Sequence, residues 1–300
     1  MGKIALIFAG QGAQAVGMGR DLYDRFDSVK WLFDMSEPIR ETCFNGPNEQ
    51  LDITINTQPA LFLAGLACAT ALTEKGVAAH GAAGFSLGEI PAAVYAGLLM
   101  PMQAFDFVCH RARAMQECSE KHKGNMFAVL KLPAGKVESI CEAVPQTYPA
   151  NYNCPGQTVV ACAECSAAKL QQAVVEQGGK AVKLAVSGAF HSPFMDAASE
   201  SIGGYLENEH FGAMQIPLYA NTTAQIYDRP KELLAKQVTH PVLWQKTIEN
   251  MIAGGFDTFI EVGPGRTLSG LIKKISTDVR IHNVSDMESL ENTVEELKHA

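Results

Sequence analysis

The chain of 300 residues is long enough for one large domain, or for one domain that carries a smaller insert. Its composition, 47% apolar and 19% charged, is ordinary for a soluble globular enzyme. The net charge of −8, with no run of basic residues interleaved with aromatics, argues against a general nucleic-acid-binding protein.

No segment is typical of a membrane anchor or a secretion signal. The longest nearly unbroken apolar stretch, residues 59–72, is too short to span a bilayer and predicts a buried helix. Residues 4–8 are too few for the apolar core of a signal peptide. The eight cysteines lie scattered in apolar segments, and the lone C-x-x-C at 162–165 has no second pair to complete a zinc site. We therefore expect a cytoplasmic protein with reduced thiols, no bound metal and no membrane contact.

Strand-like and helical segments alternate over residues 1–123 and again after residue 187, which predicts a mostly parallel sheet covered by helices on both faces. In the first part, the predicted elements are strands over 3–8 and 77–83 and helices over 17–26, 28–44, 58–75, 90–96 and 102–121. In the second part, they are strands over 216–220, 258–262 and 279–283 and helices over 192–207, 241–253 and 268–275.

Between these two parts the rhythm changes to β-α-β-β-α-β, which is the order of a ferredoxin-like unit. The sequence thus predicts an α/β protein with a large α/β-hydrolase-like domain, residues 1–123 and 188–300, and an inserted ferredoxin-like subdomain, residues 124–187. The elements predicted in the insert are strands over 125–132, 147–153, 157–162 and 180–186 and helices over 134–143 and 166–177.

The segment Gly84-Phe85-Ser86-Leu87-Gly88 fits the Gly-x-Ser-x-Gly pattern, which places a serine on a sharp turn between a strand and a helix. The glycines allow a turn that a Cβ atom would obstruct. We therefore predict that Ser86 is a nucleophile. A chance match is the alternative, because the chain contains 26 glycines.

Two further side chains are candidates for the same site. His191 follows the return from the insert, in a loop at a strand end where functional residues concentrate, and is the candidate general base. The other histidines considered, His80, His122 and His299, are expected to be structural or solvated. Arg111 lies on the helix predicted over 102–121, either as a boundary residue whose stem covers apolar surface or as a buried guanidinium for a carboxylate.

Over essentially its whole length the chain resembles the malonyl-CoA:acyl carrier protein transacylase family, the acyltransferases of fatty acid and polyketide synthesis. The motifs that carry the resemblance are Gly10-Gln11-Gly12-Ala13-Gln14, Thr57-Gln58-Pro59-Ala60, Gly84 to Glu89, Arg111 with Met115-Gln116, Ala189-Phe190-His191, Gln237-Val238 before Pro241-Val242-Leu243-Trp244, and Glu261-Val262-Gly263-Pro264-Gly265.

The resemblance implies a Ser-His dyad. Ser86 would attack the thioester of malonyl-CoA, and His191 would take its proton while a main-chain carbonyl near Gln237 orients the imidazole. The backbone amides of Gln11 and Leu87 would form the oxyanion hole.

The resemblance also implies the substrates. Arg111 would bind the malonyl carboxylate, and the phosphopantetheine thiol of acyl carrier protein would accept the acyl group from the enzyme in a ping-pong reaction. No bound cofactor is implied, and family members are commonly monomers. Phe190 resembles malonyl-selective members, in which its bulk disfavours a branched C2. Phe85 departs from the family, which usually has histidine there, and this puts donor affinity and pocket shape in question.

Other functions share parts of this pattern. A trans-acting polyketide synthase acyltransferase would look the same. A hydrolase of acyl carrier protein thioesters would share Ser86 and His191 without needing Arg111, and a docking module without activity would explain Phe85 as decay. Because acyl carrier proteins are acidic, docking needs a basic patch, for which the candidates are Lys273 and Lys274 near Arg266, or Lys180 with Lys183.

Overall fold

The computed structural model describes residues 2–299 and, within that range, contains nine strands in two sheets. The strands are β1 (Lys3–Phe8), β2 (Gly81–Gly84), β3 (Gly124–Leu130), β4 (Thr147–Cys154), β5 (Gln157–Ala163), β6 (Lys180–Lys183), β7 (Leu218–Tyr219), β8 (Phe256–Val262) and β9 (Arg280–Val284). The first sheet is parallel, in the order β7-β2-β1-β8-β9, and the second is antiparallel, in the order β4-β5-β3-β6.

Fourteen α-helices and three short 3-10 helices, Ser86–Gly88, Glu164–Ser166 and Pro193–Met195, complete the described part of the chain. The α-helices are α1 (Arg20–Tyr23), α2 (Asp27–Phe33), α3 (Glu37–Asn45), α4 (Asn48–Leu51), α5 (Thr54–Glu74), α6 (Glu89–Tyr95), α7 (Pro101–Lys121), α8 (Ala134–Ala143), α9 (Ala167–Glu176), α10 (Asp196–Glu207), α11 (Pro230–Lys236), α12 (Trp244–Ala253), α13 (Thr267–Ile275) and α14 (Met287–Lys298).

The two sheets confirm the predicted fold class, an α/β protein with a mostly parallel sheet and a second unit of the ferredoxin-like type. In the second sheet the first and third strands of the unit, β3 and β5, lie side by side between β6 and β4. That arrangement follows from the β-α-β-β-α-β order when each helix crosses one face of the sheet. The domain boundaries at 124 and 187 stay a prediction.

The core of the larger unit is built around β1 and α5. β1 is apolar and buried from Ile4 to Phe8, as expected for a central strand that is covered on both faces. α5 is long and apolar enough to cross a membrane, but 83% of its most apolar window is buried in the protein. It therefore serves as the central core helix, which agrees with the prediction for residues 59–72.

Two predicted helices differ from the structure, one for a local reason and one because of a tertiary contact. The helix predicted over 28–44 is divided into α2 and α3, because Pro38 favours a new helix start and disfavours helical geometry just before it. The helix predicted over 241–253 begins only at Trp244, because Val242 is extended and hydrogen-bonds to Ala150 of β4. α5 begins four residues earlier than predicted, and the elements predicted too long include the helix over 17–26 and the strands over 77–83, 180–186 and 216–220.

The parallel pairing of β1 with β2 places two loops side by side. Phe8 is opposite Gly84 in the register, and the Phe85 amide donates to the Phe8 carbonyl at 3.0 Å. The loop that follows β1 and contains Gln11 therefore runs beside the turn that carries Ser86, at the carboxyl edge where α/β sheets bind ligands.

Candidate active site

Ser86 lies on a sharp, strained turn. Its φ of 51° is in the left-handed region, and a 3-10 helix followed directly by α6 begins at this residue. A Cβ atom at Gly84 would lie 1.9 Å from the Gly88 carbonyl oxygen, and one at Gly88 would lie 2.2 Å from that of Phe8. The close backbone approaches therefore require both glycines, which confirms the sequence argument for this turn.

Ser86 and His191 are in hydrogen-bond contact. Ser86 Oγ is 2.8 Å from His191 Nε2, although the two residues are 105 positions apart in the sequence. On the other side of the ring, Nδ1 is 2.9 Å from the Gln237 carbonyl oxygen and 3.2 Å from that of His240. Two carbonyl acceptors require the proton on Nδ1, so Nε2 of the neutral ring accepts from the Ser86 hydroxyl.

His191 is only 4% exposed, and this burial has an electrostatic consequence. Burial, and then the nearby charge of Arg111, lower the pKa of His191 from 6.5 to about 4. The imidazole is therefore neutral at physiological pH and can accept a proton. Among residues 2–299, no carboxylate hydrogen-bonds to it, so main-chain carbonyls hold the Nδ1 side of the ring.

Arg111 is fully buried beside the serine, at 1% exposure, so its stem does not reach solvent. Its Nη1 donates to Gln58 Oε1 at 2.6 Å and its Nη2 to Gln237 Oε1 at 2.7 Å, while Nη2 also lies 3.4 Å from Ser86 Oγ. Nε has no partner, and no carboxylate in the described chain pairs with the guanidinium. Burial lowers the pKa of Arg111 to about 10, so the group stays cationic at neutral pH.

A second ring of polar contacts holds the serine turn, and sequence reasoning missed it. The Asn221 side chain accepts from the Ser86 amide at 2.7 Å and donates to the Gly84 carbonyl at 2.6 Å. Glu89 Oε1 accepts from the backbone amide of Asn221 at 2.8 Å and from the Tyr227 hydroxyl at 2.7 Å. Glu89 adjoins the serine motif and was within reach of sequence analysis, whereas nothing in the sequence around Asn221 or Tyr227 marks those residues.

The Gln237 side chain connects this ring with the arginine. Its Nε2 donates to the Ser86 carbonyl at 2.8 Å and to Glu89 Oε2, and its Oε1 accepts from Arg111. Burial raises the pKa of Glu89 to about 7, and the hydrogen bonds from Tyr227, Asn221 and Gln237 oppose that rise.

The backbone amides of Gln11 and Leu87 are available for a ligand. Neither donates to a protein acceptor within residues 2–299, whereas the amide of Ser86 is occupied by Asn221. A Cβ atom at Gly10 would lie 2.4 Å from the Phe85 carbonyl oxygen, so glycine permits the close approach of the two loops. These two free donors beside the serine suit an oxyanion.

The serine faces a cavity of about 380 Å³ between the two sheets. Ser86, His191 and Gln11 line one side, and residues of β3 and β5, among them Met126 and Val159, line the other. Phe85 and Phe190 also line it, and Phe85 packs edge-on against Trp244 with ring centroids 5.5 Å apart. The described residues contain no cluster of three potential metal ligands.

The protein-family model described as acyl transferase domain matches residues 5–292 of the sequence. The chain belongs to this acyl transferase family. The malonyl CoA-acyl carrier protein transacylase of Bacillus subtilis (strain 168) is 36% identical to this acyl transferase, over 99% of this chain and 98% of that protein.

Solved structures agree with this assignment. The malonyl CoA-acyl carrier protein transacylase of Clostridium perfringens superposes with a TM-score of 0.95 at 38% identity, covering 99% of this chain and 98% of that one. A malonyl-transacylase solved in complex with a type II polyketide synthase acyl-carrier protein gives a TM-score of 0.94 at 33% identity, covering 98% and 99% of the two chains.

Proposed function

We propose that this acyl transferase moves a malonyl group from malonyl-CoA to the phosphopantetheine thiol of acyl carrier protein through a malonyl-Ser86 intermediate. The observation that carries the proposal is the buried guanidinium of Arg111, which lies 3.4 Å from Ser86 Oγ and has no carboxylate partner within residues 2–299. A cation next to a nucleophile suits an acyl group that itself carries a carboxylate. The names of the relatives support the same reaction.

In the first half-reaction Ser86 Oγ attacks the thioester carbonyl carbon while His191 Nε2 takes the hydroxyl proton. The oxyanion of the tetrahedral intermediate accepts hydrogen bonds from the Gln11 and Leu87 amides. The C–S bond then breaks, and His191 returns its proton to the departing CoA thiolate. The Gln237 carbonyl holds the imidazole in the tautomer that this sequence of steps needs.

The second half-reaction repeats these steps with another thiol. His191 takes the proton of the phosphopantetheine thiol, the sulfur attacks the malonyl ester, and Ser86 Oγ leaves with the proton from the imidazole. Because CoA departs before the carrier protein is acylated, steady-state kinetics should be ping-pong. The reaction consumes no cofactor or metal ion.

Arg111 also makes the site selective for the acyl donor. A malonyl carboxylate satisfies the buried guanidinium, whereas an acetyl group would leave it unpaired, so the site favours the dicarboxylic acyl group. Phe190, buried in the cavity wall, opposes a branch at C2, and Phe85 shapes the neighbouring apolar wall. Neither phenylalanine takes part in proton transfer, so the departure at residue 85 affects pocket shape rather than the dyad.

The carrier protein binds at the cavity mouth. The relative solved with a type II polyketide synthase acyl-carrier protein supports this class of partner, and fatty acid synthesis is the pathway we propose for this chain. Lys273 and Lys274 lie exposed in the last turn of α13, and Lys180 and Lys183 lie exposed on β6. We propose a cytoplasmic monomer in which the segment 124–187 is an inserted subdomain and supplies the far wall of the cavity.

Intact mass spectrometry tests the proposed donor and nucleophile together. The protein is mixed with malonyl-CoA or with acetyl-CoA, beside a Ser86→Ala variant. We expect a malonyl adduct that the variant lacks, with little acetylation. Continuous CoA release without a carrier protein would instead identify a thioester hydrolase, and absence of both adduct and CoA release would identify a docking module.

A further inference from the structure

The orientation of the Gln237 side chain is set by Glu89, a residue that does not touch the cavity. Gln237 Nε2 donates one hydrogen to Glu89 Oε2 and the other to the Ser86 carbonyl, so both amide hydrogens are used on acceptors. This leaves Oε1 to face Arg111 Nη2 at 2.7 Å. With the amide reversed, its oxygen would face a carboxylate and a carbonyl, and its NH₂ would face a guanidinium.

Glu89 is held firmly enough to act in this way. It is 1% exposed, and its other oxygen accepts from the Asn221 amide and the Tyr227 hydroxyl. Donors therefore occupy both oxygens, and no solvent is available to replace them. Among residues 2–299, Arg111 donates to Gln58 Oε1 at 2.6 Å and Gln237 Oε1 at 2.7 Å, with Ser86 Oγ farther away at 3.4 Å, so reversal of the Gln237 amide would remove one of the two short contacts.

We propose that Glu89 is a positioning residue for donor selection: it acts through the Gln237 amide to hold the Arg111 guanidinium where the carboxylate of the incoming acyl group binds. The inference rests on the proposed malonyl transfer. It makes the preference for malonyl over acetyl depend on a buried acid that contacts neither substrate.

Glu89→Gln is the decisive variant because it conserves shape and changes one oxygen into an NH₂ group. Two hydrogen-bond donors, the backbone amide of Asn221 and the hydroxyl of Tyr227, hold the remaining oxygen, so the new NH₂ group faces Gln237 Nε2. Two NH₂ groups cannot face each other without a partner, and Gln237 then reverses and turns its own NH₂ toward Arg111. Glu232→Gln is the matched control, since it makes the same chemical change on α11, shortly before Gln237, in a carboxylate that pairs with Arg229 and Lys236 instead of Gln237.

The readout is the ratio of single-turnover acylation rates with malonyl-CoA and acetyl-CoA, measured at about pH 8, where Glu89 is ionised. We expect Glu89→Gln to lower the ratio at least about tenfold, with a higher half-saturating malonyl-CoA concentration, because a charge-assisted contact is misplaced. The acetyl rate should change little, and Glu232→Gln should keep the ratio. Equal losses with both donors, or an unchanged ratio, would overturn the proposal and reduce Glu89 to a support of the serine turn.

Thermal unfolding shows whether Glu89→Gln is folded. If it is not, the same ratio in the unmodified protein between about pH 8 and pH 6 decides, because a protonated Glu89 would also turn a donor toward Gln237. The charged or titratable groups that act on this carboxyl are Arg111 from α7 and Tyr227 after β7, and protonation of His191 would affect both acyl donors alike. A falling ratio supports the proposal and a constant ratio overturns it. Failure of the unmodified protein to form any malonyl adduct would instead refute the proposed function.

Discussion

Replacing Arg111 by methionine should convert a malonyl-selective enzyme into one that no longer favours malonyl. Methionine keeps an unbranched apolar stem and removes the charged guanidinium. The malonyl carboxylate then enters a buried site without a counter-ion, and an uncompensated buried charge costs about 3–5 kcal/mol. At 1.36 kcal/mol for each factor of ten, the malonylation rate should fall about 200- to 5,000-fold.

The acetylation rate offers the internal comparison. Acetyl-CoA has no carboxylate to lose, so its rate of Ser86 acylation should change by no more than about threefold, by the same free-energy scale. The assay is quenched-flow acylation followed by intact mass. The matched control is Arg113→Met, which removes an exposed arginine two positions along the same helix. Equal losses with both donors, or retained malonyl preference, would refute the assignment of Arg111 to the acyl carboxylate.

Arg111→Met should also change the pH dependence of Ser86 acylation. Arg111 is one of the two causes that lower the pKa of His191, the larger being burial. Without the neighbouring cation, protonation of the imidazole becomes less unfavourable, so the pKa of His191 rises. The acid limb of acylation should therefore move to higher pH in Arg111→Met and stay in place in Arg113→Met.

Three further results are expected. Acylation by p-nitrophenyl acetate, which has no ionisable group, should lose half its rate near pH 4, where His191 becomes protonated, and a midpoint near 6.5 would contradict the buried neutral imidazole. Gly84→Ala should abolish acylation and lower the melting temperature, because the new Cβ would lie 1.9 Å from a carbonyl oxygen. Its control, Gly204→Ala, lies in open space within α10 and should stabilise the protein by about 1 kcal/mol. Equal melting temperatures for the two variants would be evidence against the close approach at Gly84. Reversing the charges of Lys273 and Lys274 should raise the Michaelis constant for carrier protein but not for malonyl-CoA, and an unchanged constant would eliminate that patch.

Much of the fold was predictable because its signals are local. β1 is an apolar run from Ile4 to Phe8, and the alternation of strands and helices indicates a parallel sheet. Some errors came from tertiary contacts that override local preference, whereas the break between α2 and α3 at Pro38 is a local signal. Val242 pairs with β4 instead of starting α12, and the strand after residue 216 shortens to the two residues of β7.

The site was predictable where a residue type in a local pattern implies its chemistry. Ser86 lies in a glycine-framed turn, and His191 follows a strand-like segment. Asn221 and Tyr227 were not predictable, because an asparagine and a tyrosine in a loop have no periodicity or spacing that indicates contact with a turn more than 130 residues away. Their roles depend on the fold bringing distant segments together.

The most direct test of the central claim is a chase of the isolated malonyl-enzyme. The protein is acylated with malonyl-CoA, freed from excess donor, and mixed with acyl carrier protein that either carries or lacks the phosphopantetheine arm. We predict that the malonyl group moves to the carrier protein with the arm, and that the adduct persists with the carrier protein that lacks it. Release of free malonate at the same rate in both mixtures, with no malonyl carrier protein formed, would contradict the account.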